Sequence, residues 1–285
     1  MTVSPSTNTS CSETAKGRFE ARIIEHVDAA PGCRRIVVEA PVLAHSAEPG
    51  QFVHVLCSSS ASSTDPLLRR PFGIHYVDVE RGLVSMLYEI RGRGTNILAE
   101  KCPGQILDIL GPLGNGFTLP TACKPPILLV AGGFGVAPLY FLARTIDEKM
   151  GCGLTTCALG GKTSSGLLCL DEFRKLGLQL EVATDDGSQG HSGFVTELLE
   201  ERLKSADPDN RPIIYACGPM PMLKRVAAIA EKANVLCQVS VEAKMACGIG
   251  ACMSCIVKVK SDGGFKYVRA CKEGPVFDAA QIVWD

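Results

Sequence analysis

The sequence has little on which a nucleic acid or an acidic membrane could be held. Its 29 lysines and arginines are offset by 30 aspartates and glutamates, a formal net charge of −1, so no broad basic footprint exists. Long apolar runs are missing too. A stretch such as Ile127 to Ala131 is far short of the roughly 20 residues that a membrane span needs. The N-terminal region lacks the basic-then-apolar order of a secretory signal. No internal repeat is evident. The expectation is a cytoplasmic protein that binds neither nucleic acid nor membrane.

What is present is a chain of 285 residues, 46% hydrophobic and 21% charged, enough for two compact domains with or without a small module. Fourteen cysteines are a high count. In a small secreted chain they would suggest disulfides. Here length, apolar content and the missing signal favour a reducing compartment, where clustered cysteines read as metal or redox ligands.

Residues 1–18 are rich in Ser and Thr with no apolar period, and read as a flexible tail. Residues 19–119 hold short β-rich segments at Phe19–Val27, Arg34–Ala40, Gln51–Cys57, Phe72–Val77, Leu83–Ile90 and Gln105–Leu110. Turn pairs such as Pro31-Gly32 and Pro103-Gly104 separate them, which predicts an antiparallel barrel. One short helix is expected at Thr95–Lys101. From Pro120 to residue 236 strands alternate with helices: strands at Ile127–Ala131, Leu154–Leu159, Leu178–Ala183 and Ile213–Cys217, helices at Pro138–Met150, Gly193–Leu203 and Met220–Ala233. That alternation predicts a parallel sheet covered on both faces. The last stretch, 237–285, is short and rich in Gly and Cys. It is too small for a core of its own, and a bound cluster would stabilise it. The fold class is thus multidomain: an antiparallel barrel, a parallel α/β domain and a small C-terminal module.

Cys247, Cys252, Cys255 and Cys271 make the strongest signal. Their spacing is C-x4-C-x2-C, then x15-C, and the opening run is that of plant-type [2Fe–2S] proteins. Two irons need four converging thiolates, and Gly248 and Gly250 let the backbone fold tightly around them. Zinc is the competing ligand, but structural zinc sites favour paired short knuckles. The other cysteines, among them Cys57, Cys102, Cys123, Cys157 and Cys169, stand singly and read as small buried hydrophobes.

Gly132, Gly133 and Gly135 sit between a strand and a helix, where backbone N–H groups can meet phosphates. The spacing is GG-x-G-x-x-P rather than the dinucleotide fingerprint, so a plain tight turn is an equal alternative. Arg70-Pro71-Phe72-Gly73 opens a barrel strand with an arginine suited to a pyrophosphate. Gly94-Thr95 precedes a short helix, and Tyr88 could stack on a ring. Cys217-Gly218-Pro219 ends a parallel strand, where ligands gather. Asp185-Asp186-Gly187 reads as a turn. His54, His75 and His191 are isolated, with no partner at metal or triad spacing.

Barrel, parallel sheet and cluster in this order resemble the ferredoxin–NADP reductase superfamily with a C-terminal [2Fe–2S] module. More closely they resemble the electron-transfer subunits of class B dihydroorotate dehydrogenase. The matching segments are RRPFGIH, YEIRGRGT, LDILGPLGNGF, LLVAGGFGVAPLY, ATDDGSQGHSGFVTELL, YACGPMPMLK and MACGIGACMSC…RACKEGPVFD. The resemblance implies FAD contacts at Arg70, Pro71, Phe72, Gly73, Leu87, Tyr88, Glu89, Gly94 and Thr95. It implies a cluster on the four cysteines, and NAD bordered by Gly132, Gly133, Gly135, Cys217, Gly218, Pro219 and Met220. It also implies a partner, an FMN-containing catalytic subunit, assembled as a heterotetramer. One departure is Gly73, where the family carries Ser or Thr.

Electron counting orders the cofactors. A nicotinamide gives two electrons as a hydride, a [2Fe–2S] cluster takes one at a time, and a flavin does both. The flavin therefore lies between them. No acid–base residue for dihydroorotate oxidation is visible, and none is needed in this subunit. A rival is the small subunit of an NAD(P)-linked ferredoxin or sulfide reductase; an acidic residue would replace one cluster cysteine in its bifurcating forms, whereas all four are present here. A non-enzymatic iron–sulfur sensor is the other alternative. No basic pair for a 2′-phosphate is clear.

Overall fold

The computed structural model describes residues 16–58, 64–120, 125–151, 153 and 155–284. Most of the expected tail and Cys123 lie outside these residues. Gly17 and Arg18, placed in the tail by composition, already pair with Gly111 and Leu110.

Six strands close a barrel. They are β1 (Gly17–Ala30), β2 (Cys33–Glu39), β3 (Phe52–Val55), β4 (Arg70–Asp78), β5 (Leu83–Glu89) and β6 (Ile106–Leu113). Their order is β1-β2-β5-β4-β3-β6, and every pair is antiparallel. Alternate residues such as Ile36, Val38, Val53, Ile74, Val84 and Ile109 fill the interior, as the two-residue period of a strand dictates. A helix α1 (Pro41–Ser46) follows β2. Six residues carry too little periodicity for sequence to reveal it, although Pro41 suits its first turn. The helix α2 (Arg93–Ala99) follows β5.

The second layer is a seven-stranded sheet. It holds β7 (Ile127–Gly132), β8 (Thr155–Gly161), β9 (Gln179–Thr184), β10 (His191–Ser192), β11 (Ile213–Cys217), β12 (Cys237–Ser240) and β15 (Val276–Asp278), in the order β10-β9-β8-β7-β11-β12-β15. The helices α3 (Val136–Met150), α4 (Leu170–Lys175), α5 (Val195–Lys204) and α6 (Met220–Ala233) accompany it. One expectation is corrected. The helix α3 begins at Val136, so Pro138 lies within its first turn rather than opening it. The sheet is parallel except at one edge, where β15 runs antiparallel to β12.

The chain leaves β7 towards β8 on one side and later returns as β11 on the other. Ligands settle at such a reversal, beyond the carboxyl ends of the strands. The glycines after β7 and the Cys-Gly-Pro after β11 are therefore neighbours by topology.

The C-terminal region does not stand apart from this sheet. Residues 237–240 and 276–278 are two of its strands. Between them run the cysteine loop and a hairpin of β13 (Ile256–Ser261) and β14 (Gly264–Arg269). Cys255, Val259, Ala270, Cys271 and Ile282 share one buried cluster with Ile214, Ala216 and Val239 of the sheet. The region thus borrows the sheet's core.

Three histidines are nearly or wholly buried: His26, His54 and His75. Burial, the largest cause in each, lowers all three, His54 to about 4 and His75 to about 3. The unfolded chain takes up protons on them near pH 6.5, where the folded chain does not. Stability is therefore complete above about pH 6.5 and declines towards pH 4. Denaturant midpoints measured from pH 7.5 to 4.5 are expected to fall steadily; a flat profile would contradict the burial argument.

Candidate functional site

A cleft of about 1460 Å³ lies between the barrel and the sheet. Single-ligand pockets run about 300–1,000 Å³, so the space suits two ligands side by side. On the barrel side Arg70, Pro71, Phe72 and Gly73 line it from the start of β4, and Leu87, Tyr88 and Glu89 from the end of β5. Gly94 and Thr95 line it from the first turn of α2. On the sheet side it is bounded by Gly132, Gly133, Cys217 and Pro219. Gly135 and Gly218 are buried behind this wall, and Met220 is 43% exposed outside it. Met222 lines the cleft instead.

Arg70, Thr95 and Tyr88 are held by specific contacts. The Arg70 guanidinium donates through Nη1 to the Leu68 carbonyl at 2.7 Å, leaving most of its N–H donors available. Thr95 Oγ1 accepts from the N–H groups of Arg91 (2.9 Å) and Gly92 (3.1 Å) and donates to the Gly92 carbonyl. Its role is to shape the turn. Tyr88 is 2% exposed, and its ring lies 5.4 Å from that of Phe72. Its hydroxyl donates to His26 Nε2 at 2.7 Å, because His26 Nδ1–H is committed to the Lys101 carbonyl at 2.6 Å. Tyr88→Phe would leave that buried imidazole nitrogen without its donor, and a loss of about 1–3 kcal/mol is expected. Chemical denaturation checks this.

Gly73 is not forced by packing. A Cβ built there would meet Pro138 Cδ of α3 at 3.6 Å, an ordinary contact.

On the sheet side the backbone is tight. A Cβ on Gly135 would fall 2.0 Å from the Cys217 carbonyl oxygen, so only glycine lets the two turns meet. Burial, then the charge of Glu242, pushes the Cys217 thiol up to about 12, leaving it neutral at physiological pH. Ser240 and Glu242 also line the cleft. Burial raises the Glu242 carboxyl. Both lie at and just past the end of β12, a strand too short to be read from sequence, and were missed for that reason.

The cysteine loop stands beside the barrel. Cys247 and Cys252 place their sulfurs 3.3 Å apart. Cys255 and Cys271 form a second, buried pair within hydrogen-bonding reach. Among the described residues no three of these sulfurs lie within 4.8 Å of one another. A single tetrahedral zinc would need all four about 3.8 Å apart. Two pairs suit two irons, and the residues fit a [2Fe–2S] cluster. The backbone N–H groups of Gly250 and Cys252 donate to Cys271 and Cys247 sulfurs at 3.2 and 3.4 Å. Burial opposes ionisation of Cys247, but the N–H groups of Cys252, Ile249 and Ala251 outweigh it and bring the thiol down to about 6. Burial and the Cys255 thiol push Cys271 up to about 12, so its thiolate calls for a cation. Arg269 fixes the loop by donating to the Gly250 carbonyl at 2.7 Å while paired with Glu273.

His54 lies under this loop, wholly buried, and among the described residues neither ring nitrogen has a hydrogen-bond partner. Gly248 has φ of +71° and would place a Cβ 2.4 Å from His54 Nδ1. Sequence spacing left His54 isolated because its neighbour comes from the far end of the chain.

The closed barrel, the reversing sheet and the cleft between them define the ferredoxin–NADP reductase class of oxidoreductases. A ferredoxin NADP⁺ reductase from Neisseria gonorrhoeae shares the fold, at 14% identity and a TM-score of 0.63 over 76% of this chain and 91% of that one. A structure of an NADH-dependent reduced ferredoxin–NADP oxidoreductase is nearer, at 31% identity and a TM-score of 0.80 over 94% of this chain and 91% of that one. Residues 129–228 match the oxidoreductase NAD-binding domain, and residues 242–283 match the iron–sulfur cluster binding domain of dihydroorotate dehydrogenase B. The electron transfer subunit of dihydroorotate dehydrogenase B (NAD(+)) from Desulforamulus reducens is 39% identical over 94% of this chain and 98% of its own length. That from Geobacillus kaustophilus is 43% identical over 83% and 87%. The chain belongs to this family of dihydroorotate dehydrogenase B electron transfer subunits.

Proposed function

We propose that the chain carries electrons between NAD in its cleft and an FMN-containing catalytic partner in a cytoplasmic heterotetramer that oxidises dihydroorotate for pyrimidine biosynthesis. The observation that carries the reading is the convergence of barrel turn and two sheet turns on one cleft, beside a loop of paired thiols. FAD, when bound, supplies the exchange between a hydride and single electrons.

The chain's own residues supply position. Arg70 offers N–H donors at the turn that opens α2, the place for a pyrophosphate. Phe72 and the Tyr88 ring form an apolar wall for a flavin, and the Tyr88 hydroxyl is turned away to His26. Leu87, Glu89 and the turn at Gly94 and Thr95 complete the barrel wall. Gly132, Gly133, Cys217 and Pro219, backed by Gly135 and Gly218 and joined by Met222, shape the nicotinamide side. The Cys217 thiol stays neutral and excludes water rather than attacking substrate. Cys247, Cys252, Cys255 and Cys271 hold the [2Fe–2S] cluster. Ile249 and Met253, each 58% exposed, flank these cysteines. Apolar groups at such a point suit a partner surface.

A second reading, reduction of ferredoxin, is favoured by the likeness to the NADH-dependent oxidoreductase. Anaerobic protein mixed with an FMN-containing dihydroorotate dehydrogenase subunit is expected to couple dihydroorotate oxidation to NAD⁺ reduction. Inactivity there, together with NADH-driven reduction of ferredoxin, would replace this reading with the second.

A further inference from the structure

Away from cleft and cysteine loop, three different donors meet at the seam between barrel and sheet. His75 lies on β4, while Cys169 and Glu172 lie at the start of α4. A His75 ring nitrogen, the Cys169 sulfur and a Glu172 carboxylate oxygen all lie within 4.8 Å of one another. We propose that these three side chains bind one zinc-class divalent cation that pins the barrel to the nucleotide-binding sheet.

The donor set selects the metal. Imidazole, thiolate and carboxylate together suit zinc, whereas magnesium and calcium take oxygen alone. Zinc sits about 2.0–2.1 Å from nitrogen and about 2.3 Å from sulfur, which in a tetrahedron sets these donors about 3.5 Å apart. His75 Nε2 and Cys169 Sγ are 3.4 Å apart, so this pair needs no rearrangement.

The surroundings support the ligands. Ser85 Oγ lies 3.2 Å from His75 Nδ1; accepting that N–H turns the Nε2 lone pair towards Cys169, the usual outer partner of a metal-bound histidine. The His75 ring is wholly buried and stacked on Tyr140 at 4.8 Å, so its orientation is fixed. Burial keeps it neutral, with no proton to displace. The Cys169 thiol would give its proton to solvent as the metal–sulfur bond forms. Thiolate and carboxylate then neutralise the dication, and water takes the fourth position. The two cations that act on His75, Arg35 and Arg144, are each paired. Arg35 holds Glu25 at 2.8 Å as well as Glu172 at 3.0 Å, and Arg144 holds Glu148 at 3.5 Å. The Glu172 side chain is 27% exposed and provides the route of entry.

The competing arrangement is a cation-free relay in the opposite tautomer. In it the Ser85 hydroxyl donates to Nδ1, Nε2–H to the sulfur, and S–H to Glu172. The experiment separates the two. Holoprotein carrying FAD and cluster is incubated with one equivalent of zinc chloride and passed over a desalting column. Elemental analysis and zinc-edge X-ray absorption follow. The expected result is one zinc per chain with iron undiminished, in a shell of one sulfur and otherwise nitrogen and oxygen. Cys169→Ser, His75→Gln and Glu172→Gln should each weaken zinc binding at least about tenfold at constant iron content. Zinc should raise the thermal midpoint of the unmodified protein only. No retained zinc would overturn the proposal in favour of the cation-free arrangement. So would a shell of sulfur alone, which places zinc on the cluster cysteines, or equal retention in the variants. Glu172→Gln, near the surface, and the absorption spectrum of the unmodified protein decide the matter if His75→Gln fails to fold.

Discussion

Replacement of Cys255 by serine is expected to stop electron delivery to the partner subunit while NADH still reduces the bound flavin. Cys255 is 2% exposed and its carbonyl accepts from the Ala270 N–H at 2.8 Å, so the hydroxyl would remain in the thiol's place. A buried hydroxyl is a poor substitute for a soft thiolate ligand. Loss of an outer-shell partner alone costs about 10–100-fold in metal-site affinity or activity, so loss of a ligand should reach at least about 100-fold. Iron content, the reduced-state electron paramagnetic resonance signal and partner reduction should fall together. Reduction of an artificial acceptor by NADH should persist. A variant that keeps its iron and its partner activity would remove Cys255 from the ligand set.

The second large effect is expected at Gly135. Alanine there would put a methyl carbon 2.0 Å from the Cys217 carbonyl oxygen and 2.2 Å from its carbon. Both are backbone atoms at the end of β11, so neither can rotate away. The turns after β7 and β11 must separate, and with them the sheet-side wall of the cleft. A misplacement of about 1 Å can lower a rate about 10²-fold. NADH-dependent reduction of the flavin should fall by that order, chiefly in kcat/KM. FAD content and iron content should hold, because the barrel wall and the cysteine loop are not touched. Steady-state kinetics with an artificial acceptor, alongside cofactor analysis, measures both.

Much of this was legible in one dimension because the chemistry is local. The cysteine spacing, the glycine turn after β7 and the Arg-Pro-Phe-Gly of β4 are contiguous motifs, and each needs only its own loop to be recognised. The barrel strands could be read because their inward and outward residues alternate. The short α1 and α4 could not, since six residues make less than two turns and leave no period to detect. The antiparallel edge strand β15 escaped for a similar reason. It has three residues, and its pairing with β12 is made by closure of the chain.

Sequence alone determined which donors exist and how closely neighbours along the chain are spaced; that is enough for a cluster loop and for a class of oxidoreductase. Only tertiary structure decided which distant residues face one another. His54 was an isolated histidine until the loop at Gly248 folded over it. His75 likewise had no partner at metal spacing, yet it meets Cys169, 94 residues further on, at 3.4 Å. Gly135 was one glycine in a turn until β11 brought the Cys217 carbonyl against it. The physical reason is the same in each case. A motif within one loop is fixed by bond lengths and dihedral angles, whereas a contact across a domain seam depends on which faces the packed cores bring together.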